Sequence, residues 1–406
     1  MDYKFSQKLA ELKPSAIREI FKNLTNPEII SFAAGNPAAE SFPVSELARL
    51  SADIFASAPV SALQYSITEG YPPLREAVEK RQKERFGIGR STAQGATFND
   101  TTMIVSGGQQ GIELACKVFC NEGDTVLCEN PTFIGSLNSF RSNGATPVGI
   151  EMEADGISPA ALERAILDNP RTKLIYLIPT FQNPTGITTS LAKRHEIYTV
   201  AKKYGIPILE DNPYGELRFA GEEIPTLKSM DEDGLVIYCS SFSKILSAGM
   251  RLGFVIAPEQ IISKMAVAKQ GEDVHTNIFF QMLCYRFITE CDLDGHIQGI
   301  RNLYRRKCER MLTALKKEMP RGFTFTHPEG GLFLWGTLPE NVDMTAFVKA
   351  ALERKVAVVP GTAFNCNTEA PSRSFRLNYS TPSDEQITEG VKRLGEAARA
   401  VTDKNT

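Results

Sequence analysis

The chain has 406 residues, room for two to three domains' worth of core at ~150 residues each. Hydrophobic residues make up 42% and charged residues 23%, which excludes a disordered or low-complexity polymer and fits a globular fold. The net charge of −3 comes with no basic stripe, so no nucleic-acid partner is expected.

No apolar run reaches the ~18–20 residues of a membrane helix, and the opening MDYKFSQKLAELKP lacks an apolar signal core. A cytoplasmic protein without a membrane partner is therefore expected. Residues 1–45 read as an arm: a short amphipathic stretch around Pro14–Asn23, then an extended IISFAAGNPAAESFP whose Gly and Pro bar a long helix. From about residue 46 the pattern is helix, turn, helix, strand. The apolar runs TTMIVSGG, DTVLCEN, ATPVGIEM, KLIYLIPT, PILEDNPY, GLVIYCSS and RLGFVIA follow, separated by helical segments such as GIELACKVFC. This alternation predicts a mostly parallel sheet covered by helices on both faces. A long helical region at about 258–318 comes next. FTFTHPEGGLFLWG, a helix near 343–354, KVAVVPG, SFRLNYS and a closing helix from about 383 then predict a smaller α+β unit packed on the first. The eight cysteines are scattered without paired CxxC spacings and read as small apolar residues. With four histidines at no ligand spacing, no metal site is expected.

Five segments are candidates for chemistry. VIYCSSFSKILSAGMRLGFV sets Lys244 after an apolar strand and among hydroxyls. A poorly solvated lysine has its ammonium form disfavoured, and the free amine can attack a carbonyl to form an imine. Ser241, Ser243 and Arg251 are the right types to hold a phosphate. MIVSGGQQGIELA is a strand, a Gly-containing turn and a helix starting near Gln109, where free N–H groups and the helix dipole suit an anion; equally, Gly-Gly there serves as a plain turn. IPILEDNPYGEL puts Asp211 at a strand's carboxyl end, either to pair with a protonated ring nitrogen or to cap a turn. LIPTFQNPTGITTS places Asn183 and Gly186 in a tight turn at another strand end. SFRLNYS places Arg376 in a strand-like alternation, as a sheet-surface charge or as a buried clamp for a carboxylate. Together these supply an imine-forming lysine, two phosphate holders, a ring-nitrogen partner and a carboxylate clamp, a set that fits pyridoxal 5'-phosphate holding an amino acid.

With SAIRE (15–19), FAAGNPAAESFP (32–43), LQYSITEGYPPLRE (63–76), SGGQQGI (106–112), NPTFIG (130–135), QNPTG (182–186), EDNPYGEL (210–217), SFSK (241–244), RLGF (251–254), GGLFLW (330–335) and FRLNYS (375–380) in this order, the chain resembles fold-type I pyridoxal-phosphate-dependent aminotransferases of class I/II. Within them it is most similar to the 2-aminoadipate, kynurenine and aromatic aminotransferase branch, which also supplies the C-terminal domain of certain GntR-type regulators. The resemblance implies an α/β fold with a large cofactor-binding domain (46–285) and a smaller discontinuous α+β domain made of the arm (1–45) and residues 286–406. It implies that Lys244 carries the cofactor and moves the proton, and that Asp211 faces the ring nitrogen. Asn183 and Tyr214 would bond the ring's phenolic oxygen, and Phe133 would stack on the ring. Gly108, Gln109, Ser241, Ser243 and Arg251 would surround the phosphate, with Tyr65 arriving from the partner of a homodimer. Arg376, Asn183 and Gly35 would meet the substrate, and Arg18 would pair with an acidic substrate side chain. Relatives often carry Ser or Ala where this chain has Gly108. The implied activity is ping-pong transamination between an L-amino acid and a 2-oxo acid, with 2-oxoglutarate the expected partner. A β-lyase and a regulator's ligand-sensing domain are the alternatives. The second is disfavoured, because such a regulator carries a DNA reader of ~70 residues ahead of a pattern that here starts near Met1.

Overall fold

The computed structural model describes residues 3–10, 26–89 and 98–402. The stretch expected around Pro14–Asn23, and Arg18 with it, lies outside the described residues. In chain order the strands are β1 (Ile30–Ser31), β2 (Asp100–Val105), β3 (Thr125–Asn130), β4 (Thr146–Glu153), β5 (Gly156–Ile157), β6 (Thr172–Leu177), β7 (Ile208–Asp211), β8 (Val236–Ser241) and β9 (Gly253–Pro258). After three helices come β10 (Thr324–Phe325), β11 (Phe333–Thr337), β12 (Val356–Ala357), β13 (Val359–Pro360) and β14 (Ser374–Asn378).

Eight strands form one sheet in the order β2-β9-β8-β7-β6-β3-β4-β5. The five from β8 through β4 run parallel, as the alternating pattern predicts. Strand β9 is antiparallel to both its neighbours, so β2 points the same way as β8. The two-residue alternation of the strands divides the core. Val126, Cys128, Leu174, Tyr176 and Leu209 cluster with Ile112 and Leu137 of the Gly108–Phe119 and Ile134–Ser142 helices. Leu127, Ile175, Leu177 and Ile208 cluster on the other face with Leu162 and Ile197 of the Pro159–Asp168 and Leu191–Tyr204 helices. Burying each such side chain stabilises the sheet by about 1.5–3 kcal/mol. Ser158 and Ser190 cap the second pair of helices, each accepting a first-turn N–H.

The helical region after β9 is broken twice, into Glu259–Gln270, Ile278–Glu290 and Leu293–Glu318. The 285/286 boundary therefore falls inside a helix, and a division there would cut it; the next break is at Cys291–Asp292. The last of the three helices packs against the closing helix Asp384–Thr402. A second, antiparallel sheet has the order β10-β11-β14-β13, and β1 of the arm pairs in parallel with β12. The arm also bonds to β14, with Asn378 N–H donating to Phe32 O at 2.8 Å. Among the described residues no helix is long and apolar enough to cross a membrane.

Candidate active site

Because β2, β3, β6, β7 and β8 point the same way, the loops at their carboxyl ends gather on one side of the sheet. The arm and β14 approach from the smaller unit. Between them lies a cavity of about 330 Å³ lined by Gly35, Gly108, Gln109, Phe133, Asn183, Asp211, Tyr214, Ser241, Ser243, Lys244, Arg251 and Arg376. All but two of the residues expected from the sequence are therefore together. Tyr65 stands outside, exposed, with its ring edge-on to His275 at 5.8 Å. Arg18 lies outside the described residues.

Lys244 follows directly on β8, and its Nζ donates to the carbonyl of Gly35 in the arm at 2.9 Å. Burial, reinforced by the charges of Arg376 and Arg251, pulls its ammonium down to about 8. Asp211 ends β7, and burial pushes its carboxyl up to about 7. Opposing that, the Tyr176 hydroxyl donates to Asp211 Oδ2 at 2.7 Å and itself accepts from Ser136 Oγ at 2.7 Å. Tyr176 pairs with Leu209 across β6 and β7, so Asp211 is its diagonal neighbour on the same face. The Tyr214 phenol, pushed up by burial and by Asp211, accepts from Asn183 Nδ2 at 3.4 Å.

Arg376 projects from β14 as a buried side chain, resolving the two sequence readings in favour of a buried guanidinium. Its Nη1 donates to Asn183 Oδ1 and its Nη2 to Ala33 O, both at 2.8 Å. Its guanidinium carbon lies 4.3 Å from the Phe333 ring centroid and 4.8 Å from that of Phe364. Desolvation lowers it to about 10. Among the described residues it has no carboxylate partner within ion-pair distance, and its Nε is buried without a hydrogen bond.

At the other end, the turn from β2 into the Gly108–Phe119 helix needs its first glycine. Gly107 has φ 81°, and a Cβ there would stand 2.4 Å from Arg251 Nη2. Arg251, with φ 53°, donates to Ser106 O at 3.4 Å. Ser241 and Ser243 sit with their hydroxyl oxygens 2.8 Å apart. The Gln109 side-chain amide is engaged elsewhere, donating to Gly135 O and Ser139 Oγ at 2.9 and 2.7 Å. What Gln109 offers the cavity is its backbone N–H, which in a helix's first turn has no intrahelical acceptor.

The family Aminotransferase class I and II matches residues 27–394. The chain belongs to the class I and II aminotransferases. The aromatic-amino-acid aminotransferase 1 of Thermococcus litoralis is 38% identical over 98% of this chain and 95% of its own. The 2-aminoadipate transaminase of Thermus thermophilus is 37% identical over 98% of this chain and 97% of its own. A kynurenine aminotransferase from Pyrococcus horikoshii, solved in complex with PMP, superposes with a TM-score of 0.92 at 36% identity, covering 98% of this chain and 97% of that one. The chain is an enzyme, a pyridoxal-phosphate-dependent aminotransferase that exchanges an amino group between an amino acid and a 2-oxo acid.

The residues present fit the cofactor. Among the described residues the Tyr176 phenol is the only side chain bonded to the buried Asp211 carboxylate, which leaves room for the cation a protonated ring nitrogen would provide. Among the described residues Arg376 has no anion beside it and its Nε no acceptor. Lys244, whose ammonium is pulled down to about 8, lines the same cavity. Sequence reasoning missed Tyr176 and Ser136 behind Asp211, and Phe333 and Phe364 around Arg376. The tyrosine carried a signal, since a phenol inside the apolar run KLIYLIPT must find a hydrogen-bond partner. The two phenylalanines carried none, because an aromatic residue in an apolar strand is ordinary core.

Proposed function

We propose that this aminotransferase acts on L-amino acids with aromatic, aliphatic or 2-aminoadipate side chains, uses 2-oxoglutarate as its second substrate, and works as a cytoplasmic homodimer. The observation that carries the reading is the meeting, in one cavity, of a low-pKa lysine, a carboxylate without a cation and an arginine without an anion. When bound, pyridoxal phosphate supplies a carbonyl that condenses with amines and a ring that takes up the electron pair left when the substrate's Cα–H bond breaks. Asp211, oriented by Tyr176, would hold a ring nitrogen protonated. Asn183 and Tyr214 would serve the phenolic oxygen, and Phe133 would face the ring. The Gly107–Gln109 turn, Ser241, Ser243 and Arg251 would hold the phosphate. Arg376, flanked by two aromatic rings, would take the substrate α-carboxylate with Asn183. Lys244 Nζ, beside Gly35 O, would accept the substrate's Cα proton and hold it for return.

For the side-chain pocket, the described lining offers Phe133, Phe333, Ile112 and Ile178. These favour aromatic and aliphatic groups, and Arg18 is assigned to an acidic one. For the dimer, Val60, Leu63, Tyr65 and Val274 are exposed apolar side chains, and the Tyr65 ring stands edge-on to His275, next in sequence to Val274. We place the arm and the C-terminal portion in one small domain, with the catalytic cavity between it and the large one. The test is a panel of amino acids with 2-oxoglutarate. Glutamate and the matching oxo acid are expected. Pyruvate and ammonia without an acceptor would mean a lyase, and tight amino-acid binding without turnover a sensor. An Arg18→Ala variant with an unchanged ratio of acidic to aromatic kcat/KM would remove Arg18 from the pocket, and sedimentation of the full chain as a monomer would remove the dimer.

A further inference from the structure

Behind the phosphate-facing turn, away from the cavity, lies a lysine that the mechanism does not use. Lys269, near the end of the Glu259–Gln270 helix, is fully buried. Its ammonium has three protons to donate. Their acceptors are Asp273 Oδ1 at 2.7 Å, Thr276 Oγ1 at 3.0 Å and Gln110 Oε1 at 2.8 Å. With all three committed it is no nucleophile, and an i,i+4 pair with Asp273 alone would satisfy a lysine at a helix end. The third bond is different, because it crosses to another helix. Gln110 Oε1 also accepts the backbone N–H of Ser106 at 2.8 Å. Asp273 Oδ2 in turn accepts from Ser106 Oγ at 2.7 Å and from Gln110 Nε2 at 2.9 Å.

Ser106 is the residue that opens the turn. Its N–H, hydroxyl and carbonyl are held by Gln110, Asp273 and Arg251 respectively, and two of these three holders bond to Lys269. The loop on the far side of the cluster is held equally firmly. Val274 takes φ 63°, a conformation that a β-branched residue adopts only when its surroundings impose it. None of Ser106, Gln110, Lys269 and Asp273 lines the cavity, whereas Gly108, Gln109 and Arg251 do. The cluster therefore reaches the ligand only through the turn.

We propose that Lys269 is a positioning residue: through Gln110, Asp273 and Ser106 it fixes the Gly107–Gln109 turn so that its N–H groups meet the phosphate of pyridoxal phosphate. The proposal rests on the reading of that turn as the phosphate site. A rigid cradle matters because backbone donors bind an anion only when several converge without rearrangement.

The test compares the dissociation constants of pyridoxal phosphate and of pyridoxal, which lacks the phosphate, for the full-length chain. Lys269→Met is expected to weaken pyridoxal phosphate by roughly tenfold or more while pyridoxal changes by less than about twofold. Gln110→Leu removes the bridge to the Ser106 N–H together with the bonds of Gln110 to Lys269 and Asp273, and leaves the Lys269–Asp273 pair in place. It is expected to give the same phosphate-selective loss, and it decides the matter if Lys269→Met does not fold. Equal weakening of both ligands, or no weakening of either, in a folded variant overturns the proposal. Arg251→Gln separates the two layers of the argument. If it shifts the ratio of the two constants while Gln110→Leu and Lys269→Met do not, positioning by Lys269 is wrong and the phosphate site stands. If Arg251→Gln leaves the ratio unchanged, the phosphate lies elsewhere and both fail.

Discussion

A half-buried lysine, Lys244, and a fully buried one, Lys269, stand on either side of the phosphate-facing turn, and their surroundings differ in one respect that decides their chemistry. Lys269 has Asp273 against it, so its charge is compensated and all its protons are spent. Lys244 has one carbonyl acceptor, Gly35 O, and two cations, Arg376 and Arg251, as its electrostatic neighbours. Burial lowers both ammonium groups. Only around Lys244 do the neighbouring charges push the same way as burial, to about 8; around Lys269 the carboxylates of Asp273 and Glu272 oppose it. Desolvation alone therefore does not make a nucleophile. What separates the two is a counter-ion, present at Lys269 and, among the described residues, missing at Lys244, where two cations add to the effect of burial.

The largest expected effect separates the two lysines outright. Lys244→Ala should reduce transamination by about 10⁴-fold or more, since it removes both the amine that carries the cofactor and the proton acceptor. At saturating cofactor Lys269→Met should lose no more than about tenfold, because it acts on binding. Both are read as glutamate formed from 2-oxoglutarate, and comparable losses would erase the distinction. Next in size is Arg376→Met, which removes the carboxylate clamp and one of the cations acting on Lys244. A drop in kcat/KM of about 10²-fold or more is expected. A rise in the Lys244 pKa of the cofactor-free chain should accompany it, read by the pH dependence of its chemical acetylation. A lysine whose titration stays put would show that Arg376 contributes nothing to the contrast.

A pH effect follows from the same contrast. Below pH 8 the Lys244 ammonium is charged in both the folded and the unfolded chain, and its burial penalty is fully present. Between about 8 and the ordinary 10.5, only the unfolded chain keeps the proton in full. Stability attributable to this residue therefore rises with pH across that window, by about 3 kcal/mol in the limit. Urea unfolding of the cofactor-free chain, wild type against Lys244→Met, should show the wild type gaining on the variant from pH 7.5 to 10.5. The same comparison with Lys269→Met should rise less, since Asp273 opposes the burial.

Much of this was legible in the sequence, for a physical reason. Strand ends, Gly-bearing turns and a lysine after an apolar run are local features, and parallel strands bring all their carboxyl ends to one place without further instruction. The sheet, the alternation of Val126 and Leu127 to opposite faces, and twelve of the fourteen expected site residues within one cavity come from such features. Non-local contacts were not legible. Nothing near Tyr176 announces that its hydroxyl meets Asp211, 35 residues on. Nor does anything near Gln109 announce that its side-chain amide meets Ser139, 30 residues away. Lys269 drew no reading from the sequence, because its meaning lies in Gln110, 159 residues earlier.

The smallest effect concerns the turn between the two lysines. Gly107 and Gly108 are adjacent and differ sharply in what a methyl group would meet. At Gly107, φ 81° disfavours any side chain, and the new Cβ would lie 2.4 Å from Arg251 Nη2 and 2.9 Å from its Cζ. At Gly108 the nearest atom is Cys239 Sγ at 3.8 Å, an ordinary contact, and the residue sits in the first turn of a helix with no positive φ. Gly107→Ala should therefore destabilise the chain by about 1–3 kcal/mol and displace Arg251. Gly108→Ala should leave stability unchanged or raise it by up to about 1 kcal/mol, by restricting the unfolded chain. Gly108→Ser adds a hydroxyl in the same space, and should tighten pyridoxal phosphate relative to pyridoxal by a few-fold, about the worth of one charge-assisted hydrogen bond. Thermal denaturation and the two dissociation constants read these outcomes. Equal damage from Gly107→Ala and Gly108→Ala would mean that the turn tolerates no Cβ at either position, and that its shape is held by more than the Lys269 cluster and the Gly107–Arg251 approach.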